Sequence, residues 1–277
     1  SQLREGINTL LNQPNINLIK GEAHFVSDHI VEVGDRKIEA KNIIIATGSQ
    51  AKLPPFINRK DYLNSPTLKR SLVTSTELLS IDELPKRLVI IGAGVIGMEF
   101  ASAFAAFGCQ VVVVEYMKEC LPMIDSDIAK RLRKMLEKRG VTFYMQSAVE
   151  KVIPPTEEDN VDTVVVFNKK DKEIKLEADL VLVATGRQPN VMDIGLDSTN
   201  IEYSLKGIPV DKNMETNING VYAIGDVNAR QMLAHAATFQ GFRAVNHILS
   251  KQDNIRLEIM PSAIFTYPEA ACVGKTE

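Results

Sequence analysis

The sequence predicts an α/β fold in which one three-layer domain, extended by an antiparallel meander, is inserted into a second domain. Three observations predict this organisation. An apolar strand, a glycine-rich turn, a helix and a second apolar strand follow one another over residues 89–115. Two further apolar strands end in Ala-Thr-Gly, one before and one after that unit. Residues 149–176 alternate between apolar and polar, which is typical of antiparallel strands.

The N-terminal segment is predicted to contain a helix followed by short strands. Residues 3–11 carry apolar side chains at helical spacing, and residues 17–46 read as short strands separated by turns. The last of these strands is apolar and ends in the first Ala-Thr-Gly, at residues 46–48. A proline-containing stretch over residues 53–66 then predicts a connection that leaves the first domain.

The central unit carries the spacing Gly-x-Gly-x-x-Gly between a strand and a helix. Gly92 allows a tight turn, Gly94 leaves room for a pyrophosphate to approach the backbone, and Gly97 allows the helix to pack closely on the strand. Val95 and Ile96 lie in the first turn of that helix, where free N–H groups and the helix dipole favour anions. The pattern predicts dinucleotide binding; the alternative is a glycine-rich turn in another kind of α/β protein.

The acidic residue at the end of the second strand, Glu115, indicates which dinucleotide is bound. It follows the glycine-rich turn at the distance expected of a carboxylate that accepts hydrogen bonds from the hydroxyls of an adenosine ribose. A 2′-phosphate on that ribose would meet its negative charge. The sequence therefore favours NAD over NADP.

Further elements follow the central unit in an order that fits an insertion. A helix over residues 128–138 precedes a third strand at 141–145, and the meander over 149–176 surrounds a polar loop at 154–160. The strand at 180–186 then repeats the Ala-Thr-Gly ending.

Beyond the second Ala-Thr-Gly, a short apolar strand at 221–226 ends in Gly-Asp, and a helix-like segment covers residues 231–249. A Gly-Asp pair at the end of a strand is most often a plain turn.

Composition narrows the class of protein. A chain of 277 residues suggests two domains, and its contents of 45% hydrophobic and 24% charged residues are ordinary for a soluble protein. A net charge of -3 without a basic patch argues against nucleic-acid binding, and strand-length apolar runs argue against a membrane span. The sequence contains neither a Cys-x-x-Cys pair nor a metal-ligand cluster among its cysteines, Cys109, Cys120 and Cys272. This pattern favours a reduced, cytoplasmic compartment. We expect Cys109 to be a packed apolar thiol.

Five motifs, in this order, resemble the FAD-dependent pyridine nucleotide-disulfide oxidoreductase family. Within it they are most similar to the dihydrolipoyl dehydrogenase branch, and they extend over essentially the whole chain. In that family an NAD-binding domain is inserted into an FAD-binding domain. The motifs are the glycine-rich turn of residues 92–99, the two Ala-Thr-Gly endings, Gly-Arg-x-Pro-Asn at 186–190, Tyr-Ala-Ile-Gly-Asp at 222–226 and Phe-Thr-Tyr-Pro-Glu at 265–269.

The resemblance implies roles for individual residues. Asp226 would bind the ribityl chain of FAD, and the backbone around His235 would approach the flavin, with His235 a helix-start residue rather than an acid–base group. Glu99 resembles the acid that pairs with a lysine beside the redox disulfide. Arg187 would lie along the bound nicotinamide nucleotide, a surface ion pair being the alternative. The residues implied for NAD are Gly92, Gly94, Val95, Ile96, Gly97, Glu99, Glu115, Gly186 and Arg187, and those implied for FAD are Ala46, Thr47, Gly48, Gly225, Asp226, Leu233, Ala234 and His235.

The position of Val95, where some relatives carry an aromatic gate over the flavin, argues against an identity like that of glutathione reductase. The residues after Glu115 lack the arginine pair of NADP-using relatives, which again favours NAD. No catalytic residue and no metal site is expected in this chain.

The resemblance also implies a domain assignment. Residues 1–50 and 187–257 would belong to the FAD domain, 51–186 to the NAD domain, and 258–277 to the start of a dimer-interface domain. The family's own FAD glycine motif, its Cys-x-x-x-x-Cys disulfide and its His-Pro…Glu pair do not occur in this sequence. We therefore expect an internal portion of such an enzyme, inactive alone because a nucleophilic thiolate and its base are both required.

The activity implied for the full-length enzyme passes electrons from a dithiol through FAD to NAD. Its partners would be dihydrolipoyl groups of 2-oxo acid dehydrogenase or glycine cleavage complexes. The enzyme would be a homodimer in the cytoplasm, or in the mitochondrial matrix of a eukaryote.

Two other functions remain open. A related flavoprotein, such as an NADH oxidase or a soluble transhydrogenase, shares the central motifs, and a single upstream cysteine in place of Cys-x-x-x-x-Cys would favour an oxidase. A non-catalytic NADH-binding module would be favoured by an in-frame stop just upstream of Ser1.

Overall fold

A computed structural model describes residues 2–155 and 162–274 of the chain. The helices are α1 (Gln2–Leu11), α2 (Arg59–Asn64), α3 (Pro66–Ser71), α4 (Ser75–Leu78), α5 (Val95–Ala106), α6 (Ser126–Lys138) and α7 (Ala234–Ile248). The strands are β1 (Ala23–Ser27), β2 (Ile30–Val33), β3 (Arg36–Glu39), β4 (Ile43–Ile45), β5 (Ser49–Ala51), β6 (Leu72–Val73), β7 (Arg87–Ile91), β8 (Gln110–Val114), β9 (Thr142–Tyr144), β10 (Ala148–Ile153), β11 (Thr163–Lys169), β12 (Lys172–Ala178), β13 (Leu180–Val183), β14 (Arg187–Pro189), β15 (Val221–Ala223), β16 (Ser262–Ile264) and β17 (Ala270–Cys272).

The chain forms two compact units, one inserted into the other. The first unit comprises Ser1–Ser49 with Pro189–Ile255, and the second comprises Gln50–Gln188 with Arg256–Glu277. The sequence set residues 258–277 apart as the start of a further domain. The described part of that segment instead groups with the second unit, because Ile264 and Ala270 are buried in its core.

The second unit is built on a parallel sheet with the strand order β6-β13-β7-β8-β9. These strands are apolar runs because both faces of the sheet are covered. Alternate residues of β7 show this directly: Ile90 packs with α5 and α6 in one cluster, whereas Val89 packs in another on the opposite face. The sheet is therefore the middle layer, with α5 and α6 on one side.

The opposite face of the sheet is covered by the predicted meander. Strands β10, β11 and β12 pair antiparallel in that order. Phe167 of β11 is fully buried, and its ring lies 5.0 Å from that of Tyr144 on β9. The polar loop predicted at 154–160 lies mostly outside the described residues. The three-layer domain with an antiparallel meander is thus present as predicted.

Three short helices of the second unit were not predicted. Residues 53–66 were expected to be a connection, but this stretch contains α2 and the start of α3. Asn58 caps α2 by accepting from the N–H groups of Lys60 and Asp61, and Ser65 caps α3 ahead of Pro66 at the first helical position. These capping residues were a usable signal for helix starts.

The first unit contains a parallel pair of strands, β4 with β15, and an antiparallel sheet of β1, β2 and β3. Its core includes Phe25, Ile45 and Val221. Helix α7 begins three residues later than the predicted segment. Among the described helices, none is long and apolar enough to cross a membrane.

Candidate functional sites

The glycine-rich turn between β7 and α5 explains why two of its glycines have no substitute. Gly92 has φ +105°, and a Cβ built on it would lie 2.5 Å from the carbonyl oxygen of Ala184. A Cβ on Gly97 would lie 2.0 Å from the carbonyl oxygen of Gly92. Both positions are therefore restricted by neighbouring backbone, which is how the turn brings the helix onto the strand.

Gly94 differs from its two neighbours in what surrounds it. It precedes α5 with an extended backbone, and a Cβ built on it would meet no atom within 4 Å. The fold itself therefore does not require glycine here. The first turn of α5 directs N–H groups towards this open space, since the initial N–H groups of a helix have no intrahelical acceptor.

The position of this turn in the sheet is that of a ligand site. Strand β7 pairs with β8 on one side and with β13 on the other. The chain runs from β7 through α5 to β8 and on to β9, whereas β13 lies on the other side of β7. The carboxyl ends of β7 and β13 therefore flank a crevice at a topological switch point, where open α/β sheets bind ligands.

A cavity of about 510 Å³ lies at this edge of the sheet, within the size range of small-molecule and cofactor sites. Of the residues predicted to bind NAD, its lining includes Gly92, Gly94, Val95, Ile96, Glu115 and Gly186. Residues that the sequence did not single out also line it, among them Pro54, Pro55, Phe56, Tyr116, Met117, Pro122, Ser147, Ala148 and Val149.

The Glu115 carboxylate belongs to a residue that lines the cavity, and it is held by two backbone groups. One oxygen accepts from the N–H of Ala93 at 2.6 Å and the other from the N–H of Met117 at 2.7 Å. A carboxylate offers about four lone-pair directions. Each oxygen thus keeps acceptor capacity for a ribose hydroxyl while the side chain stays oriented by the turn.

Three other residues predicted to bind NAD, Gly97, Glu99 and Arg187, do not line the cavity in the described part of the chain. Arg187 lies in β14. Glu99 accepts from the N–H of Phe265 at 2.8 Å, and three residues further along α5 the hydroxyl of Ser102 accepts from the N–H of Tyr267 at 3.0 Å. Within the described residues Glu99 therefore holds the segment before β17 against α5.

Two groups of the residues predicted to bind FAD, the Ala-Thr-Gly ending at 46–48 and the Gly-Asp pair at 225–226, lie in the first unit at the carboxyl ends of β4 and β15. These strands are parallel and in register, with Ala223 opposite Ile45. The Ala-Thr-Gly ending and the Gly-Asp pair are therefore neighbours. The hydroxyl of Ser49 donates to Asp226 at 2.5 Å, which orients that carboxylate.

Asn190 holds the Ala-Thr-Gly ending in place. Its side-chain amide donates to the carbonyl of Thr47 at 2.9 Å, its own carbonyl accepts from the Thr47 hydroxyl at 2.8 Å, and its N–H donates to the carbonyl of Gly48 at 2.9 Å. The sequence motifs contained Asn190 but not Ser49, and no spacing in the sequence indicated these contacts.

The remaining residues of the predicted FAD set lie at the start of α7. Leu233 precedes the helix without a side-chain cap, and Ala234 and His235 form its first turn with exposed side chains. His235 is thus a residue of the helix start, as predicted. The first-turn N–H groups of α7 have the geometry that suits an anionic group.

The three cysteines are free thiols, and no metal-binding cluster occurs in the described ranges. Cys109 packs against the core of the second unit, and burial raises the pKa of its thiol. Cys120 is buried, and its thiol donates to the carbonyl of Ala129 at 3.4 Å. Burial, together with the Glu119 carboxylate, raises the pKa of Cys120 to about 12.

We therefore expect Cys120 to resist alkylation in the folded chain. With a pKa of about 12, roughly one thiol in ten thousand is the reactive thiolate at pH 8. Treatment with iodoacetamide followed by peptide mass spectrometry should show an unmodified Cys120 in the native chain and rapid modification in guanidinium chloride. Equal rates in the two conditions would contradict the burial of this thiol.

Comparison with known proteins gives a consistent set of relatives. The chain matches the pyridine nucleotide-disulphide oxidoreductase family over residues 1–241. It is 36% identical to leghemoglobin reductase of Vigna unguiculata over 283 residues, which cover 100% of this chain and 52% of that protein. It is 35% identical to dihydrolipoyl dehydrogenase of Bacillus subtilis over 281 residues, covering 100% and 58% respectively. Dihydrolipoyl dehydrogenase of Acholeplasma laidlawii is 38% identical over 248 residues, which cover 90% of this chain and 70% of that protein.

A solved structure shows the same fold. The HOCl-induced flavoprotein disulfide reductase RclA from Escherichia coli superposes with a TM-score of 0.84 at 29% identity, covering 99% of this chain and 60% of that one. The chain thus spans 52% and 58% of the length of the two longer curated relatives above.

Proposed function

The chain belongs to the pyridine nucleotide-disulphide oxidoreductase family, and on that premise we propose that it is the NAD-binding portion, with part of the flavin site, of a dihydrolipoyl dehydrogenase. One observation carries the proposal. The cavity of about 510 Å³ at the switch point of the parallel sheet is lined by Gly94, the start of α5 and Glu115.

The preference for NAD rests on Glu115. Its carboxylate is held by the N–H groups of Ala93 and Met117 and keeps lone pairs for two ribose hydroxyls. A phosphate in place of the 2′-hydroxyl would bring a second negative charge against this carboxylate. We therefore propose NAD, rather than NADP, as the nicotinamide cofactor.

The residues of the first unit fit part of a flavin site. Gly225 lies where a Cβ would come within 3.1 Å of the Cβ of Ala237, and the next residue, Asp226, is oriented by Ser49. In the proposal Asp226 accepts hydrogen bonds from the hydroxyl chain of FAD, and the start of α7 lies close to the flavin. When bound, FAD and NAD supply the hydride-transfer chemistry, while the protein orients them.

For the whole enzyme we propose that dihydrolipoyl groups of multienzyme complexes are the electron donors. Two of the three curated relatives described above are dihydrolipoyl dehydrogenases, which supports this choice. We also propose that the full-length protein is a homodimer and that it works in the cytoplasm, or in the mitochondrial matrix of a eukaryote. We propose that this chain by itself binds NADH but does not oxidise dithiols.

Replacing Glu115 by alanine tests the NAD assignment. We expect Glu115→Ala to weaken NADH binding by roughly 1–3 kcal/mol, because charge-assisted hydrogen bonds to the ribose are lost. Isothermal titration of the purified chain with NADH measures the effect. Glu173→Ala is a matched control, since it removes one carboxylate from the second unit at an exposed position beside Lys175. Equal NADH affinity in Glu115→Ala and the parent chain would contradict the assignment.

A further inference from the structure

A buried side-chain amide joins α7 to the Gly225–Asp226 turn. Gln240 lies in the second turn of α7 and is only 1% exposed. Its side-chain oxygen accepts from the backbone N–H of Gly225 at 2.7 Å and from the side-chain amide of Asn228 at 2.8 Å. One acceptor therefore pairs with two donors that belong to buried residues.

Asn228 extends this network back to β15. It is 7% exposed, and its side-chain amide also donates to the carbonyl of Ala223 at 2.9 Å. Its side-chain oxygen accepts from the N–H of Arg230 at 3.0 Å. The Gln240 side-chain oxygen and both side-chain polar groups of Asn228 thus have partners, and such pairing favours one geometry in a buried polar network.

The space around Gly225 leaves little freedom for the turn to move. Gly225 has φ +71°, and a Cβ built on it would lie 3.1 Å from the Cβ of Ala237 on α7. The positive φ and the close approach of turn and helix both favour glycine at residue 225. It also brings the Gly225 N–H within reach of Gln240, so packing and hydrogen bonding select the same arrangement.

We propose that Gln240 is a positioning residue of the candidate flavin site, an inference that rests on the function proposed above. Gln240 accepts from the N–H of Gly225, and Asp226 is the next residue in the chain. Gln240 also lies in α7, the helix that begins at the segment of Leu233, Ala234 and His235. A single buried amide therefore sets the spacing between the two stretches of the first unit that are predicted to bind FAD. Without it, two buried donors lose their acceptor and the turn gains freedom to move.

Amide hydrogen exchange measures this role directly on the full chain. We compare Gln240→Met, which keeps the volume without the acceptor, with Gln240→Glu, which keeps an acceptor oxygen. Thr238→Ala is the control, because it removes an exposed hydrogen bond within the same helix, to the carbonyl of Ala234. We expect the Gly225 amide to exchange about tenfold faster in Gln240→Met and near the parent rate in the other two variants.

Two exchange results would overturn the proposal: an unchanged rate at Gly225 in Gln240→Met, or no recovery in Gln240→Glu. If Gln240→Met does not fold, Gln240→Asn takes its place. It keeps a buried amide that is one methylene too short to reach both donors, and the same faster exchange is expected.

Titration with FAD, followed by quenching of flavin fluorescence, separates this inference from the proposed function. We expect Gln240→Met to bind FAD about tenfold more weakly than the parent chain and Gln240→Glu to recover the affinity. A parent chain that does not quench FAD would contradict the proposed flavin site in this chain, while the exchange rates still decide whether Gln240 holds the turn. Equal FAD affinity in the parent and Gln240→Met, with faster exchange in the latter, would show that the amide holds the turn but does not position the site.

Discussion

Gly94→Val is expected to abolish NADH binding while leaving the chain folded. Gly94 has φ -73° and ψ -174°, an extended conformation that valine adopts readily, and a Cβ there meets no atom within 4 Å. The free volume that makes the side chain harmless to the fold is the volume that a pyrophosphate would occupy. We therefore expect the affinity to fall by about 100-fold or more, with the free energy of unfolding changed by about 1 kcal/mol or less.

Calorimetric titration with NADH and urea unfolding of the same preparations measure both quantities. Gly94→Ala provides a graded comparison, since its single methyl group enters the same space less deeply, and an intermediate affinity is expected. A folded Gly94→Val chain that binds NADH as tightly as the parent would refute the placement of the pyrophosphate at this turn.

Gly97→Ala, unlike Gly94→Val, is expected to lose much stability from one added methyl group. A Cβ at this position would lie 2.0 Å from the carbonyl oxygen of Gly92 and 3.1 Å from its carbonyl carbon. The obstacle is backbone, so relief requires α5 to move away from β7. We expect the free energy of unfolding to fall by about 3 kcal/mol or more, and binding to be lost with the fold of the turn.

Urea unfolding followed by circular dichroism measures this loss. Gly241→Ala in α7 is the matched control, because a Cβ there would lie 3.5 Å from Ile224, an ordinary contact. Since alanine is the better helix former, that control should be neutral or stabilised by up to about 1 kcal/mol. A Gly97→Ala chain as stable as the parent would mean that the close approach of α5 to β7 is not required.

Much of the central unit was predictable because its signals are local. The apolar strands β7 and β8, the glycine spacing between them and the acid at residue 115 occupy one continuous stretch of sequence. Hydrophobic periodicity and glycine placement act over such distances, so they predicted the strands, α5 and five residues of the cavity lining, Gly92, Gly94, Val95, Ile96 and Glu115. The same reasoning missed α2 and α3, whose turns are too short to show a helical period.

The role of Glu99 shows the limit of motif reasoning. The sequence places it five residues after Gly94, and the resemblance implied a lysine partner beside a redox disulfide that does not occur in this sequence. The structure pairs it with the N–H of Phe265, which is 166 residues away in sequence. No local pattern indicates a contact of that kind, because the two segments are brought together by tertiary contacts, among them the packing of Ile264 and Ala270 in the core of the second unit.

By itself the sequence determined the fold class, the inserted arrangement of the two units and the identity of the residues at the glycine-rich turn. It did so because backbone conformation and strand burial impose residue types at fixed spacings. Only the tertiary structure decided which of those residues meet. It joined the ends of β4 and β15, placed Asn190 on the Ala-Thr-Gly ending and buried Gln240 against Gly225. Contacts between distant segments depend on the packing of whole layers, and the role of a buried polar group depends on the partner to which it is hydrogen-bonded.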